Sequence, residues 1–199
     1  MARKISPDPS GENETAMLAD FANLWSEADA LWEKNQAQPA FQGYVSADYS
    51  AIYHSLASLK GRVTTFLEWG SGLGIVTIMA SRMGFEACGI ETEPDLVDYS
   101  REFARTWGPA ARFSQGSFIP DGFEWNPAED DVFRTVIDVA SGYGNLDMEL
   151  RDFDLIYAYP WPDERDLFKS IARQFGSGNA MLMMFDVREG LSLARVNGS

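Results

Sequence analysis

Two carboxylates and three glycines are the most chemically pointed feature of this chain. Glu68 stands two positions before Gly70 in "FLEWGSGLGIVT", where Gly70, Gly72 and Gly74 alternate with Ser71 and Leu73. An apolar run that breaks into glycines and turns apolar again reads as strand, tight turn and helix, an arrangement that holds small molecules beyond the strand's carboxyl end. The pattern is GxGxG. The dinucleotide fingerprint GxGxxG needs a glycine where the chain has Ile75, and no lysine follows as in a GxxxxGK[ST] phosphate loop. A carboxylate at Glu68 repels a pyrophosphate and attracts a sulfonium or an ammonium. Glu91 ends the next apolar run, 17 residues after Gly74. An acid there can accept hydrogen bonds from both hydroxyls of a ribose. The ligand that fits is a nucleoside with positive charge and no phosphate.

The elements that must carry these residues follow from periodicity. Residues 12–36 place Met17, Leu18, Phe21, Leu24, Trp25, Ala28, Leu31 and Trp32 at helical steps, which predicts an amphipathic helix. Trp25 and Trp32 are expected to pack on the domain body, with a homodimer seam as the alternative. A second helix is expected after Ser46, read as its N-cap, and ended by Gly61. From Arg62 strands and helices alternate. "VTTFLEW" precedes a helix over 75–83, "FEACGIE" a helix over 94–107 that opens on Pro94, and "ARFSQGSF" is a third strand. "FDLIYAY" precedes a helix over 163–175, "NAMLMMFDV" is a fifth strand, and the last residues leave room for one short strand. The expected class is α/β and Rossmann-like: a mostly parallel sheet of five to six strands flanked by helices, with a shortened C-terminal end. The chain divides into a disordered tail (1–11), a helical extension (12–61) and the α/β domain (62–199).

Composition narrows the function. Hydrophobic residues make up 45% of the 199 and charged residues 23%, ordinary for a globular enzyme. The net charge of −14 opposes binding to phosphate backbones, so no nucleic-acid partner is expected. Residues 121–154 hold ten acids against Arg134 and Arg151, read either as a solvated face or as a surface for a cationic partner. No apolar run approaches the roughly 18 residues that cross a bilayer, so no membrane partner is expected. The lone Cys88 excludes an intrachain disulfide and a cysteine-built metal site, no metal is expected, and the cytoplasm is the expected compartment.

"LEWGSGLG", "CGIETEPDLVDYSREFA" and the order of the later strands and helices resemble the class I S-adenosylmethionine-dependent methyltransferases over roughly residues 62–186. The resemblance implies S-adenosylmethionine as cofactor. It implies that Glu68 and the backbone at Gly70, Gly72 and Gly74 hold its methionine end and that Glu91 binds its ribose. It places Ser117 where many relatives carry an acid for the adenine amino group, and Phe118 as a ring against the adenine.

The resemblance also implies that the methyl acceptor lies beyond the fourth strand, at "YAYPWPDER". Tyr159 and Trp161 are the candidate catalytic residues there, as aromatic walls that exclude water and favour positive charge. The segment resembles the Asp/Asn-Pro-Pro-aromatic motif of amino-methyltransferases, but Tyr159 replaces the acid or amide and Trp161 separates Pro160 from Pro162. Candidate bases are His54, Asp163, Glu164 and the Tyr159 hydroxyl. "FQGYVSADYSAIYH" is expected to fold over the cofactor through Tyr44 and Tyr53. The expected activity is methyl transfer to a small molecule or a protein side chain. The alternative is a cofactor-binding module without catalysis that works through protein contacts.

Overall fold

The computed structural model describes residues 9–124, 135 and 139–197, with side chains from residue 14 onward. Helix α1 (Pro9–Asn35) and helix α2 (Tyr49–Leu59) form the N-terminal extension, joined by a 3-10 turn at Pro39–Phe41. Then come β1 (Thr65–Trp69), α3 (Ile75–Arg82), β2 (Glu86–Glu91), α4 (Pro94–Trp107), β3 (Arg112–Gln115), β4 (Leu155–Ala158), α5 (Arg165–Phe175), β5 (Met181–Asp186) and β6 (Gly190–Arg195). Of the tail expected over 1–11, residues 1–8 lie outside the described residues, and α1 begins at Pro9.

The sheet order is β3-β2-β1-β4-β5-β6, all parallel except β6, which runs antiparallel to β5. Strand order reverses between β1 and β4, and an open α/β sheet leaves a crevice at such a point. Alternation along the strands splits the core in two. Phe66, Leu155, Tyr157 and Met183 face the layer built by α1 to α4. Leu67, Trp69, Ile156 and Leu182 face α5 and the short turns around Tyr143 and Leu150.

Two local expectations change. The N-cap of α2 is Asp48, whose Oδ1 accepts from the Ala51 amide at 2.9 Å, while the Ser46 side chain bonds Tyr49 instead. β3 ends at Gln115, short of Phe118. Gly116 (φ 149°) turns the chain, and Ser117 pairs with the strand-like segment at Ser141, its amide donating to Ala140 O and its carbonyl accepting from Gly142 N, each at 2.8 Å. A Cβ on Gly116 would lie 2.7 Å from Gly142 Cα, so this close pairing excludes a side chain there. Trp25 packs inward, its Nε1 donating to Met79 Sδ at 3.3 Å and its ring stacked on Tyr49. Trp32 is left 36% exposed.

Candidate functional site at the glycine turn

The turn that joins β1 to α3 reverses the chain with three left-handed glycines: φ is 66° at Gly70, 52° at Gly72 and 74° at Gly74. A Cβ costs about 1 kcal/mol or more in that region, so the conformation itself selects glycine. Space selects it again at two of the three. A Cβ on Gly74 would lie 2.5 Å from the Phe113 ring and 2.8 Å from Ser100 Cβ, and one on Gly72 would lie 2.8 Å from the Tyr44 ring. Gly70 differs. It is exposed and a Cβ there would meet nothing within 4 Å, so the first glycine borders open space.

Glu91, at the end of β2, fastens the turn from the neighbouring strand. Its Oε2 accepts from the Gly72 amide at 2.9 Å, and its Oε1 accepts from Thr92 N at 2.7 Å and Glu93 N at 3.0 Å, just before α4. The two acids read from the sequence are thus brought to one turn, but they act differently. Glu68 is 5% exposed and directs Oε2 at Thr77 on α3, accepting from its amide at 2.9 Å and its hydroxyl at 2.6 Å. Burial pushes the Glu68 carboxyl up to about 8. The two Thr77 hydrogen bonds pull it back, and the charge of Glu91 adds to the rise.

Stability then depends on pH. In the unfolded chain Glu68 ionises near its ordinary value of 4.5, in the folded protein near about 8, so the folded state holds the extra proton between them. The Glu68 contribution to stability is therefore fully present below the lower value and is lost as pH rises through the upper one. Its slope is at most about 1.4 kcal/mol per pH unit. Glu68→Gln should flatten the dependence over that window, read by denaturant melts of both proteins. A slope unchanged by the substitution would show that the carboxyl titrates normally.

A layer of tyrosines faces Glu68. Tyr44 lies against Gly72 and its hydroxyl pairs with that of Tyr49 at 2.9 Å. Burial pushes Tyr44 far above its ordinary value, and Tyr49 up to about 12. Tyr157 on β4 sits in register with Glu68 on β1 and is buried, with no hydrogen-bond partner for its hydroxyl among the described residues. Burial and the charge of Glu68 raise its pKa well above the usual range. A buried hydroxyl left unpaired costs about 1–3 kcal/mol.

The remaining candidates from the sequence scatter, and not all of them face the turn. Tyr159 is half-buried, its ring edge-on to Phe185 at 5.0 Å, and Trp161 lies just past it at the exit of β4. Ser117 is buried, its Oγ accepting from the Ile119 amide at 3.1 Å. The Phe118 ring is stacked on Trp69 at 5.0 Å and tilted on Phe168 at 4.9 Å, in the α5 layer. Glu164 is 2% exposed and accepts from the amide and hydroxyl of Thr135. Asp163 is exposed. His54 is exposed on α2, with Nδ1 2.7 Å from Ser50 O. Tyr53 turns toward α1, its hydroxyl donating to Glu14 at 3.4 Å, so of the two expected cover residues Tyr44 alone lies on the turn.

Thr77, Tyr49 and Tyr157 do not stand out in the sequence as site residues. For Tyr157 the available signal is strand alternation, which places it on the same face as Tyr159. The acidic stretch falls only partly within the described residues. Glu129, Asp130, Asp131 and Asp138 lie outside them. Asp121, Asp147, Glu149 and Asp152 line a cleft of about 910 Å³ beside Tyr143 and Phe175, away from the glycine turn, with Arg151 paired to Glu149. Among the described residues no cluster of His, Cys, Asp or Glu is arranged to hold a metal ion, and no helix is long and apolar enough to cross a membrane.

The strand order, the left-handed glycine turn and the acid closing β2 define the class: the chain has the fold of the class I, Rossmann-like S-adenosylmethionine-dependent methyltransferases. It superposes on an RNA methyltransferase from Salinibacter ruber, solved with S-adenosyl-L-homocysteine, with a TM-score of 0.54 over 78% of this chain and 95% of that one, at 16% identity. A stretch of 78 residues, 39% of this chain, is 33% identical to a Xenopus laevis lysine N-methyltransferase named for the ATP synthase. The match spans about a third (34%) of that relative's length. No protein-family model matches the chain.

Proposed function

We propose that this protein is an S-adenosylmethionine-dependent methyltransferase whose acceptor is an amine, in the first instance the side-chain amine of a protein lysine. The observation that carries the reading is the turn itself: three left-handed glycines at the β1–β4 reversal, tied by Glu91 across to β2 and backed by a buried acid. The residues present fit the cofactor. Gly70 leaves open space, Glu68 backs the turn as a buried carboxyl bonded to Thr77, and no lysine or arginine sits in the turn for a phosphate. Glu91 would bind the ribose, the backbone of Gly70, Gly72 and Gly74 the methionine end, and Ser117 would border the adenine, while the Phe118 ring stays packed on Trp69 and Phe168. Tyr44 would cover the bound molecule from the N-terminal extension.

When bound, the cofactor supplies an electrophilic methyl group on a sulfonium. The chain's own contribution is positional and electrostatic. Holding a nucleophile in line at contact distance supplies most of the acceleration in such displacements. Tyr159, Trp161 and the stiff Pro160 and Pro162 backbone would wall the acceptor side and keep water out. Their rings favour the positive charge that an amine acquires as it is methylated. Net charge supports the choice of acceptor, because −14 attracts a lysine-bearing segment and repels a phosphate backbone. The Xenopus laevis relative, by its name, also acts on lysine.

The test is incubation with methyl-labelled S-adenosylmethionine and a protein extract, followed by acid hydrolysis and amino-acid analysis. Label in methyl-lysine is expected. Label released by mild base, as from a methyl ester, would contradict the amine assignment. Cofactor binding with no transfer to any acceptor would favour a binding module that works through protein contacts.

A further inference from the structure

We propose that the Tyr157 hydroxyl positions the methyl acceptor by accepting a hydrogen bond from an N–H of the incoming amine. The proposal rests on the methyltransferase reading above and adds a residue to it.

Among the described residues every other buried tyrosine, Tyr49, Tyr53 and Tyr143, has a partner for its hydroxyl. Tyr44 and Tyr49 pair with each other, and Tyr143 accepts from Trp69 Nε1 and donates to Phe118 O, both at 2.9 Å. Tyr157 alone among them is buried with its oxygen unsatisfied. A Phe at this position would fill the same space without stranding a polar atom, so the hydroxyl is suited to a group from outside the chain.

Its position indicates which group. The turn and the ribose acid that would hold the cofactor belong to β1 and β2, on one side of the reversal. Tyr157 belongs to β4, on the other side, and points to the same sheet face as Glu68, with which it is in register. Two residues further along, strand alternation returns the same face at Tyr159, where Pro160, Trp161 and Pro162 begin. The groups acting on Tyr157 are Glu68, Tyr49 and Tyr159, none of them a cation. A neutral oxygen beside a buried carboxyl suits a donor that gains positive charge.

An amine acceptor is such a donor. Its nitrogen lone pair forms the new N–C bond while the S–C bond breaks and sulfur keeps that electron pair. The product is a methylammonium, whose extra proton passes to water after release. An N–H held by Tyr157 leaves the lone pair free to face the methyl group. Burial keeps the phenol protonated, which makes Tyr157 itself a poor competing nucleophile.

The test needs no identified substrate. Wild type and Tyr157→Phe are titrated by calorimetry with S-adenosylhomocysteine and with sinefungin, whose amine occupies the place of the transferable methyl. The variant should keep S-adenosylhomocysteine affinity within about twofold and lose about tenfold in sinefungin affinity, the scale of one hydrogen bond to a charged group. Its melting temperature without ligand should be unchanged or higher. Tyr49→Phe, which removes a hydroxyl already paired with Tyr44, should leave the ratio of the two affinities unchanged. Equal losses for both ligands in Tyr157→Phe would assign the hydroxyl to the cofactor's amino-acid end and overturn the proposal. No change in either affinity, or a lower melting temperature, would overturn it too. A wild type that binds neither ligand would instead remove the methyltransferase reading, before any variant is compared.

Discussion

Glu91→Ala should lower affinity for S-adenosylhomocysteine by roughly tenfold or more and destabilise the ligand-free protein by about 2 kcal/mol. The two effects have one origin. The carboxylate accepts from Gly72 N on one oxygen and from Thr92 N and Glu93 N on the other, so it joins the turn of β1 to the start of α4. Charge-assisted hydrogen bonds of this kind are the stronger ones, and their loss leaves three amides to find new partners. In the ligand complex the same carboxylate would also accept from the ribose hydroxyls, which alanine cannot do. Glu91→Gln separates the contributions, since one amide oxygen can still hold Gly72 while the bidentate acceptor is gone. Calorimetric titration and thermal melts of both variants measure the two effects. An affinity unchanged in Glu91→Ala would remove the ribose from this residue.

The second large effect is conformational. Gly74→Ala should destabilise the protein by about 3 kcal/mol, combining the left-handed φ of 74° with a Cβ placed 2.5 Å from the Phe113 ring and 2.8 Å from Ser100 Cβ. For a chain of this size that is a fall of about 10 °C in melting temperature. Gly70→Ala is the informative comparison. Its φ is 66°, but its Cβ meets no atom within 4 Å, so strain alone should cost about 1 kcal/mol. That methyl group would stand in the space assigned to the ligand, so Gly70→Ala should lose binding out of proportion to stability. Equal effects of the two substitutions on melting temperature would mean that the packing around Gly74 relaxes freely.

Much of this architecture is legible in the sequence because its signals are local. Pro94 and the periodicity behind it place α4 at Pro94–Trp107 to the residue, and the glycines mark the β1–α3 turn. Gly61 ends the α2 region at φ 75°, as a left-handed residue should. The features that escape sequence reasoning depend on distant partners. β3 stops at Gln115 because residues 117 and 141 pair, a contact between segments more than twenty residues apart. Asp48 rather than Ser46 caps α2, and two cap-forming residues so near each other cannot be ranked without the backbone that each must serve. The direction of a ring is equally non-local. Phe118 is drawn to Trp69 and Phe168, and Tyr53 to Phe21 and Glu14, by neighbours that only the packed fold supplies. The unpaired Tyr157 hydroxyl needs the β1–β4 register, which no spacing within either strand reveals.

Whether the glycine turn holds the nucleoside cofactor is tested most directly by calorimetric titration of S-adenosylhomocysteine into the wild-type protein. Saturable binding of one molecule per chain is expected, with a micromolar dissociation constant, competed by S-adenosylmethionine and not by a nicotinamide dinucleotide. The absence of binding at millimolar ligand, or displacement by the dinucleotide instead, would contradict that assignment.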